Sequence, residues 1–268
     1  ALNHASIIEG IRLSPAKSLR YKHNDMAALE RRLQQCDPER IKLIVVDGVF
    51  SMEGDLCNLP EICRLAEQYK ASVMVDEAHG FGVMGDHGRG VCNYFGLTDK
   101  VDLIMGTFSK SFAAIGGFIA GSKTTINYIR HHARSYIFSA SCTPAATAAV
   151  GKSLEIMLRE PERVEALQEK TRYCLEKFRK LGFEIGHTST PIIPLFVRDN
   201  EKTFRVTAEL FHEGVFVNPV VAPAVAPEDT LIRFSLMATH TYEQLDTAIE
   251  KITAVFRRLD IPLHPQQD

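Results

Sequence analysis

The sequence predicts an α/β protein: a mostly parallel sheet with helices on both faces, followed by a smaller C-terminal α/β domain. Three observations predict it. Apolar, β-branched runs of strand length stand at residues 40–51 (RIKLIVVDGVFS), 71–76 (ASVMVD) and 101–104 (VDLI), and they lack the polar alternation of a half-solvated sheet. A helix-period segment separates the first two, which is the strand–helix–strand order of a parallel sheet. After Gly182 the chain changes to short strand runs around one helix. These features divide the chain into a large domain over 1–150 and a small domain over 151–268.

Taken in order, an N-H-A-S turn holding His4 precedes an apolar pattern (Ile7, Ile8, Ile11) that predicts a helix; pattern alone makes His4 an ordinary surface histidine. Residues 21–35 are amphipathic, with Asn24 or Asp25 as cap and Met26, Leu29 and Leu33 inward. The strand over 40–51 ends in a polar turn through Gly54 and Asp55, and Pro60 opens a helix to about Lys70. The glycine-rich stretch 82–90 (GVMGDHGRG) has the wrong order for a dinucleotide fingerprint and reads equally as an active-site loop or a connector. Residues 116–121 and 136–141 predict two short strands. Between them, 127–134 form a basic helix whose Arg130, His131, His132 and Arg134 read as a solvated face rather than a metal site. Pro144 starts a long helix toward Leu181, broken near Pro161, and its small residues predict close packing. Strands FEIG, PIIPLFV, VFVNPV and LIRFSLMA follow, with a helix over 203–213 and a closing helix over 242–259.

Composition narrows the function classes. Thirty-one basic against thirty-three acidic side chains leave a net charge of −2, which gives no electrostatic case for nucleic acid. No apolar run reaches transmembrane length, and the first residues do not read as a signal peptide. Cys36, Cys57, Cys63, Cys92, Cys142 and Cys174 are scattered, as in a reduced cytoplasmic protein without a zinc site.

Two strand ends carry the chemistry. Lys110 follows the 101–104 run in GTFSKS; a partly desolvated lysine there has a lowered pKa and is a Schiff-base nucleophile, whereas a lone lysine after a strand is ordinarily a solvated loop residue. The hydroxyls of Thr107 and Ser109 could hold a phosphate. Asp76 ends the strand before it, with His79 three residues on; an acid at that end lies where open α/β sheets bind ligands, although a helix N-cap explains it equally well. Together the pair suits pyridoxal 5'-phosphate (PLP), whose ring nitrogen needs an anionic partner. Arg233 sits inside an apolar strand and requires an acid, either as a buried salt bridge or as a ligand carboxylate.

DGVFSMEGD, VDEAHGFGVMGDHGRG, GTFSKSFAAIGG and YIFSAS, in this order, resemble the α-oxoamine synthases, PLP enzymes of the fold-type I aminotransferase superfamily. The likeness implies that Lys110 carries PLP and serves as acid/base, that Asp76 faces the ring nitrogen and His79 the ring hydroxyl, and that His4 stacks on the ring. It further implies cofactor contacts from Ser51 and Thr107, and from Ser139 of a second subunit, so a homodimer with active sites at the subunit interface. Arg233 matches the position that binds the amino-acid carboxylate. The reaction implied is decarboxylating condensation of an amino acid with an acyl-CoA. Ser109, the SFAAIGG continuation and YIFSAS are most similar to the branch that joins L-serine to a long-chain acyl-CoA (palmitoyl-CoA), giving 3-ketosphinganine in sphingolipid biosynthesis. The glycine acetyltransferase and 8-amino-7-oxononanoate synthase branches are the alternatives, and a non-catalytic partner subunit is the alternative of another class; the presence of Lys110, Asp76 and His79 argues against the last. The resemblance also implies an N-terminal part beyond this chain, with a glycine-rich turn near the cofactor phosphate.

Overall fold

Four strands, β1 (Leu43–Asp47), β2 (Ser72–Asp76), β3 (Leu103–Thr107) and β4 (Gly117–Gly121), make one sheet in the order β1-β2-β3-β4. The first two junctions are parallel and the third is antiparallel, so the sheet is mostly parallel as the apolar runs require. The computed structural model describes residues 2–264. The sheet belongs to the first of two units, Ala1–Phe50 with Leu56–Pro161; the second comprises Ser51–Asp55 with Glu162–Asp268.

Among the described residues the first unit also has seven α-helices: α1 (Ala5–Leu13), α2 (Met26–Gln34), α3 (Leu59–Gln68), α4 (Val91–Tyr94), α5 (Lys123–His132), α6 (Arg134–Ile137) and α7 (Pro144–Arg159). Asp25 is the cap of α2, its carboxylate accepting from the Ala28 amide at 2.7 Å, and Leu29 and Leu33 turn inward. Pro60 lies in the first turn of α3, where its missing N–H is not needed; Leu59, Ile62, Cys63, Leu65 and Ala66 are buried, and the helix packs on β2. Burying these side chains contributes roughly 1.5–3 kcal/mol for each large aliphatic.

The sheet is not covered evenly. β1 and β2 bury their inward residues, whereas β4 is exposed at four of its five positions, and α7 has no buried residue despite its small-residue start. The close packing expected of α7 is therefore not supplied within the described residues. The strand expected over 136–141 is instead α6 and an irregular stretch. The amides of Ile137 and Phe138 bond back to Ala133 and Arg134, closing a helical turn. An apolar run of three residues does not distinguish strand from helix.

In the second unit β5 (Ile192–Phe196), β7 (Leu231–Ser235) and β6 (Asn218–Val220) form an antiparallel sheet in the order β5-β7-β6, with α8 (Glu162–Lys180), α9 (Asn200–His212) and α10 (Tyr242–Arg258). The break between α7 and α8 falls at Glu160–Pro161, as the proline dictates. Helix α10 opens with a capping box: the Thr241 hydroxyl accepts from the Gln244 amide, and the Gln244 side chain accepts from the Thr241 amide. FEIG over 183–186 is not a strand. Phe183 and Ile185 are buried, but left-handed Gly182 and Gly186 bracket the run and stop a ladder from extending.

Candidate active site

The parallel register aligns the carboxyl ends of three strands. Asp47 of β1 stands opposite Asp76 of β2, and Asp76 opposite Met105 of β3. Past these ends the backbone stays stitched: the Gly48 amide donates to the Asp76 carbonyl at 2.8 Å, and the Glu77 amide to the Met105 carbonyl at 2.7 Å. Thr107 ends β3, and turns leaving the same edge carry His79 and Lys110, at the side of an open α/β sheet where ligands bind.

Asp76 is buried, and its carboxylate accepts from the Ala78 amide at 2.8 Å. That bond belongs to a tight turn in which the Gly80 and Phe81 amides donate to the Glu77 carbonyl, placing half-buried His79 close behind the acid. The Lys110 turn is built by other means. Gly106 stands inside β3 opposite Phe118, whose ring lies where a side chain would stand, a Cβ there meeting the ring at 2.4 Å. Phe112 is buried and stacks on Phe81 at 5.1 Å between centroids, with Phe108 and Phe118 edge-on or tilted beside them. The Ser111 hydroxyl donates to the Phe81 carbonyl at 2.8 Å, tying the residue after Lys110 to the turn after His79.

Lys110 itself is exposed, contrary to the expectation that its stem leaves water. It rides on a turn, with the Ala113 amide donating to its carbonyl, beyond the edge of the sheet rather than inside it. Beside it Thr107 and Ser109 hydroxyls lie 3.0 Å apart, and the Thr107 hydroxyl also donates to the Gly116 carbonyl. His4 is the N-cap of α1, its Nδ1 accepting from the Ser6 amide; its main-chain N–H points at both oxygens of Asp47, 3.1 and 3.2 Å away. The fold thus brings Lys110, Thr107, Asp76, His79 and His4 to one edge. The donor set fits PLP chemically: an amine, a buried carboxylate and a hydroxyl pair within one edge of the sheet.

The other expected residues are elsewhere in the chain. Ser139 is exposed after α6, with its hydroxyl donating to the Tyr136 carbonyl. Ser51 opens the Ser51–Asp55 segment, which groups with the second unit. Arg233 lies on β7 in that unit, half-buried, and among the described residues its Nε has no hydrogen-bond partner and no carboxylate pairs with it. Burial lowers its pKa from the ordinary value. The internal salt bridge is therefore absent among the described residues. The basic residues of α5 and α6, Arg130, His131, His132 and Arg134, are exposed, and no metal-binding group of side chains occurs among the described residues.

A profile of the aminotransferase class I and II family matches residues 1–252. The chain belongs to that family. Among curated members of related sequence, a serine palmitoyltransferase of Bacteroides thetaiotaomicron is 64% identical over 259 residues, covering 97% of this chain and 66% of its own length. An 8-amino-7-oxononanoate synthase of Thermosipho melanesiensis is 46% identical over 260 residues, again covering 97% and 66%. A solved structure of SPT with a PLP internal aldimine superposes with a TM-score of 0.93 at 33% identity, covering 98% of this chain and 66% of that one. The chain thus spans 66% of the length of these relatives.

Two further buried acids stand at the same strand ends and were not singled out in the sequence. Asp47 is 4% exposed, and burial pushes its carboxyl up to about 7; the His4 amide opposes the rise, Asp76 adds to it, and Lys110 opposes it. Glu77 is 1% exposed and accepts from the Val91 and Cys92 amides at the start of α4, at 2.9 and 2.7 Å. Burial also raises the Glu77 carboxyl above its ordinary value. A signal was present for both: VVDG ends a buried run in an acid as MVDE does, and DE places two acids at one strand end.

Proposed function

We propose that this protein is a PLP-dependent acyltransferase that condenses L-serine with a long-chain acyl-CoA, releasing CoA and carbon dioxide to give 3-ketosphinganine. The observation that carries the reading is the convergence of Lys110, Asp76 and His79 at one sheet edge, in a chain 64% identical to a serine palmitoyltransferase.

Bound PLP supplies the electron sink that stabilises negative charge at the amino-acid α-carbon. The residues of this chain do the rest. The buried Asp76 carboxyl faces the ring nitrogen and holds a proton there. The Thr107 hydroxyl, with Ser109 beside it, binds the phosphate. The Lys110 amine anchors the cofactor and then moves the proton at the α-carbon, which its exposed turn leaves room to do. His4 covers one ring face, and His79 donates to the ring hydroxyl. Arg233 takes the amino-acid carboxylate, which gives its guanidinium the anion it lacks. Ser51 adds a cofactor contact within the chain. Ser139 adds one from a second copy, so the working unit is a homodimer. No described helix is long and apolar enough to cross a membrane; a cytoplasmic setting belongs to the proposal.

The test is a product assay. Isotope-labelled L-serine and palmitoyl-CoA should yield labelled 3-ketosphinganine and free CoA at a rate that glycine and alanine do not match. Turnover with alanine and pimeloyl-CoA instead would move the protein to the 8-amino-7-oxononanoate branch. Lys110→Ala should lower turnover by about a thousandfold or more.

A further inference from the structure

The mechanism above leaves Asp47 unused, although it is among the most buried acids of the first unit and stands at the edge that carries Lys110. Three geometric facts converge on it. It is the register partner of Asp76, so two carboxyl groups end neighbouring parallel strands. Its two oxygens receive the main-chain N–H of His4. One residue earlier, the Asn3 side chain donates to the Val45 carbonyl at 2.7 Å, so residues 3–4 are stitched along the open edge of β1. No side chain of helix α1 is fully buried among the described residues, and these polar ties fix its N-terminus.

We propose that Asp47 is a positioning residue for the cofactor: it clamps His4 over the strand-end edge and, beside Asp76, sets the negative potential that a cationic ring nitrogen meets. This rests on the PLP reading. The groups facing Asp47 are Asp76 on β2, Lys110 beyond β3 and His4 before α1. Burial and the Asp76 carboxyl on the adjacent strand both disfavour the charge on Asp47. Asp47 therefore retains its proton to higher pH than an ordinary aspartate. A cationic ring drawn to Asp76 favours ionisation of Asp47, so cofactor binding and the Asp47 proton are linked.

Two substitutions separate the clamp from the charge. Asp47→Asn keeps an oxygen for the His4 amide and removes the ionisable group, whereas Asp47→Leu removes both. Amide hydrogen exchange of a peptide containing His4, read without cofactor, should be unchanged in Asp47→Asn and about tenfold faster in Asp47→Leu. With PLP added, the pH midpoint at which the visible band of the loaded protein changes should fall in Asp47→Asn, by about one unit, because an anion next to the bound cation is lost. Carbon-13 NMR of labelled aspartate should show one carboxyl titrating near neutrality in the cofactor-free protein and missing from Asp47→Asn.

A purely structural Asp47 would give lower melting temperatures with an unmoved pH midpoint, which would overturn the proposal. Equal His4 exchange in both variants would overturn the clamp. If wild-type protein gave no visible band with PLP, the cofactor reading would fail, while the exchange and NMR results would still decide what Asp47 does to His4.

Discussion

Single residues at the strand ends carry most of the chemistry, and their energetics make separable predictions. Asp47 has an ordinary pKa of 3.8 and is pushed up to about 7. The fold favours its protonated form, so the stability it contributes is full below about pH 3.8 and is lost as pH rises through about 7. Across that window the loss is on the order of 4 kcal/mol. Urea unfolding of cofactor-free protein at pH 5 and pH 8 checks it: Asp47→Asn should flatten the difference, and an unchanged pH dependence would contradict the assignment. Arg233 presents the opposite case, a half-buried cation on β7 with no anion beside it among the described residues. Replacing it with Met removes a desolvated charge, so the melting temperature should hold or rise, while KM for the amino acid rises roughly ten- to a hundredfold with a smaller change in kcat. A drop in stability with unchanged KM would return Arg233 to a structural role.

At the scale of elements, the loop from Gly82 to Gly90 shows how a glycine-rich connector becomes a fixed one. Its ends are tied by the Gly82 amide on the Gly88 carbonyl and the Gly90 amide on the Met84 carbonyl, both 2.7 Å. Gly90 takes φ +98, and a Cβ there would meet the Glu77 carboxyl at 2.6 to 2.8 Å. Gly90→Ala should therefore cost about 2–4 kcal/mol, through backbone strain and through displacement of a buried acid from the Val91 and Cys92 amides. Chemical denaturation measures it, and a loss below about 0.5 kcal/mol would show that the Glu77 anchor is dispensable. This loop also marks where sequence reasoning stopped. β1, β2 and β3 were legible because continuous apolar runs have one physical explanation, burial on both faces. The loop was not, because its order depends on a glutamate that reads as surface charge until the fold buries it. The 136–141 segment failed for another reason: YIF is as apolar as a strand, yet local amide bonds to Ala133 and Arg134 close a helical turn.

For the whole molecule, the pattern of exposure says more than the pattern of burial. Ile115, Ile119, Ile137, Phe138, Leu154 and Leu158 are all exposed, on or beside β4, α6 and α7. Under the proposed homodimer, Phe138→Asp should shift sedimentation toward the monomer and weaken cofactor binding through Ser139; a monomer that binds PLP as tightly as wild type would contradict a trans contribution. Lys110 and Asp76 stood out in the sequence as a complementary pair at the ends of two apolar runs, whereas the role given to His79 came only from the family resemblance. His4 was legible only through family resemblance, since the tie that brings it to the edge is a main-chain bond to Asp47, which leaves no mark in its own neighbourhood of sequence. The central claim is that Lys110 is the amine that holds the cofactor. The most direct measurement is borohydride reduction of the PLP-loaded protein followed by peptide mass mapping. The account predicts a phosphopyridoxyl adduct on Lys110 and none in Lys110→Ala; an adduct on another lysine, with Lys110 unmodified, would contradict it.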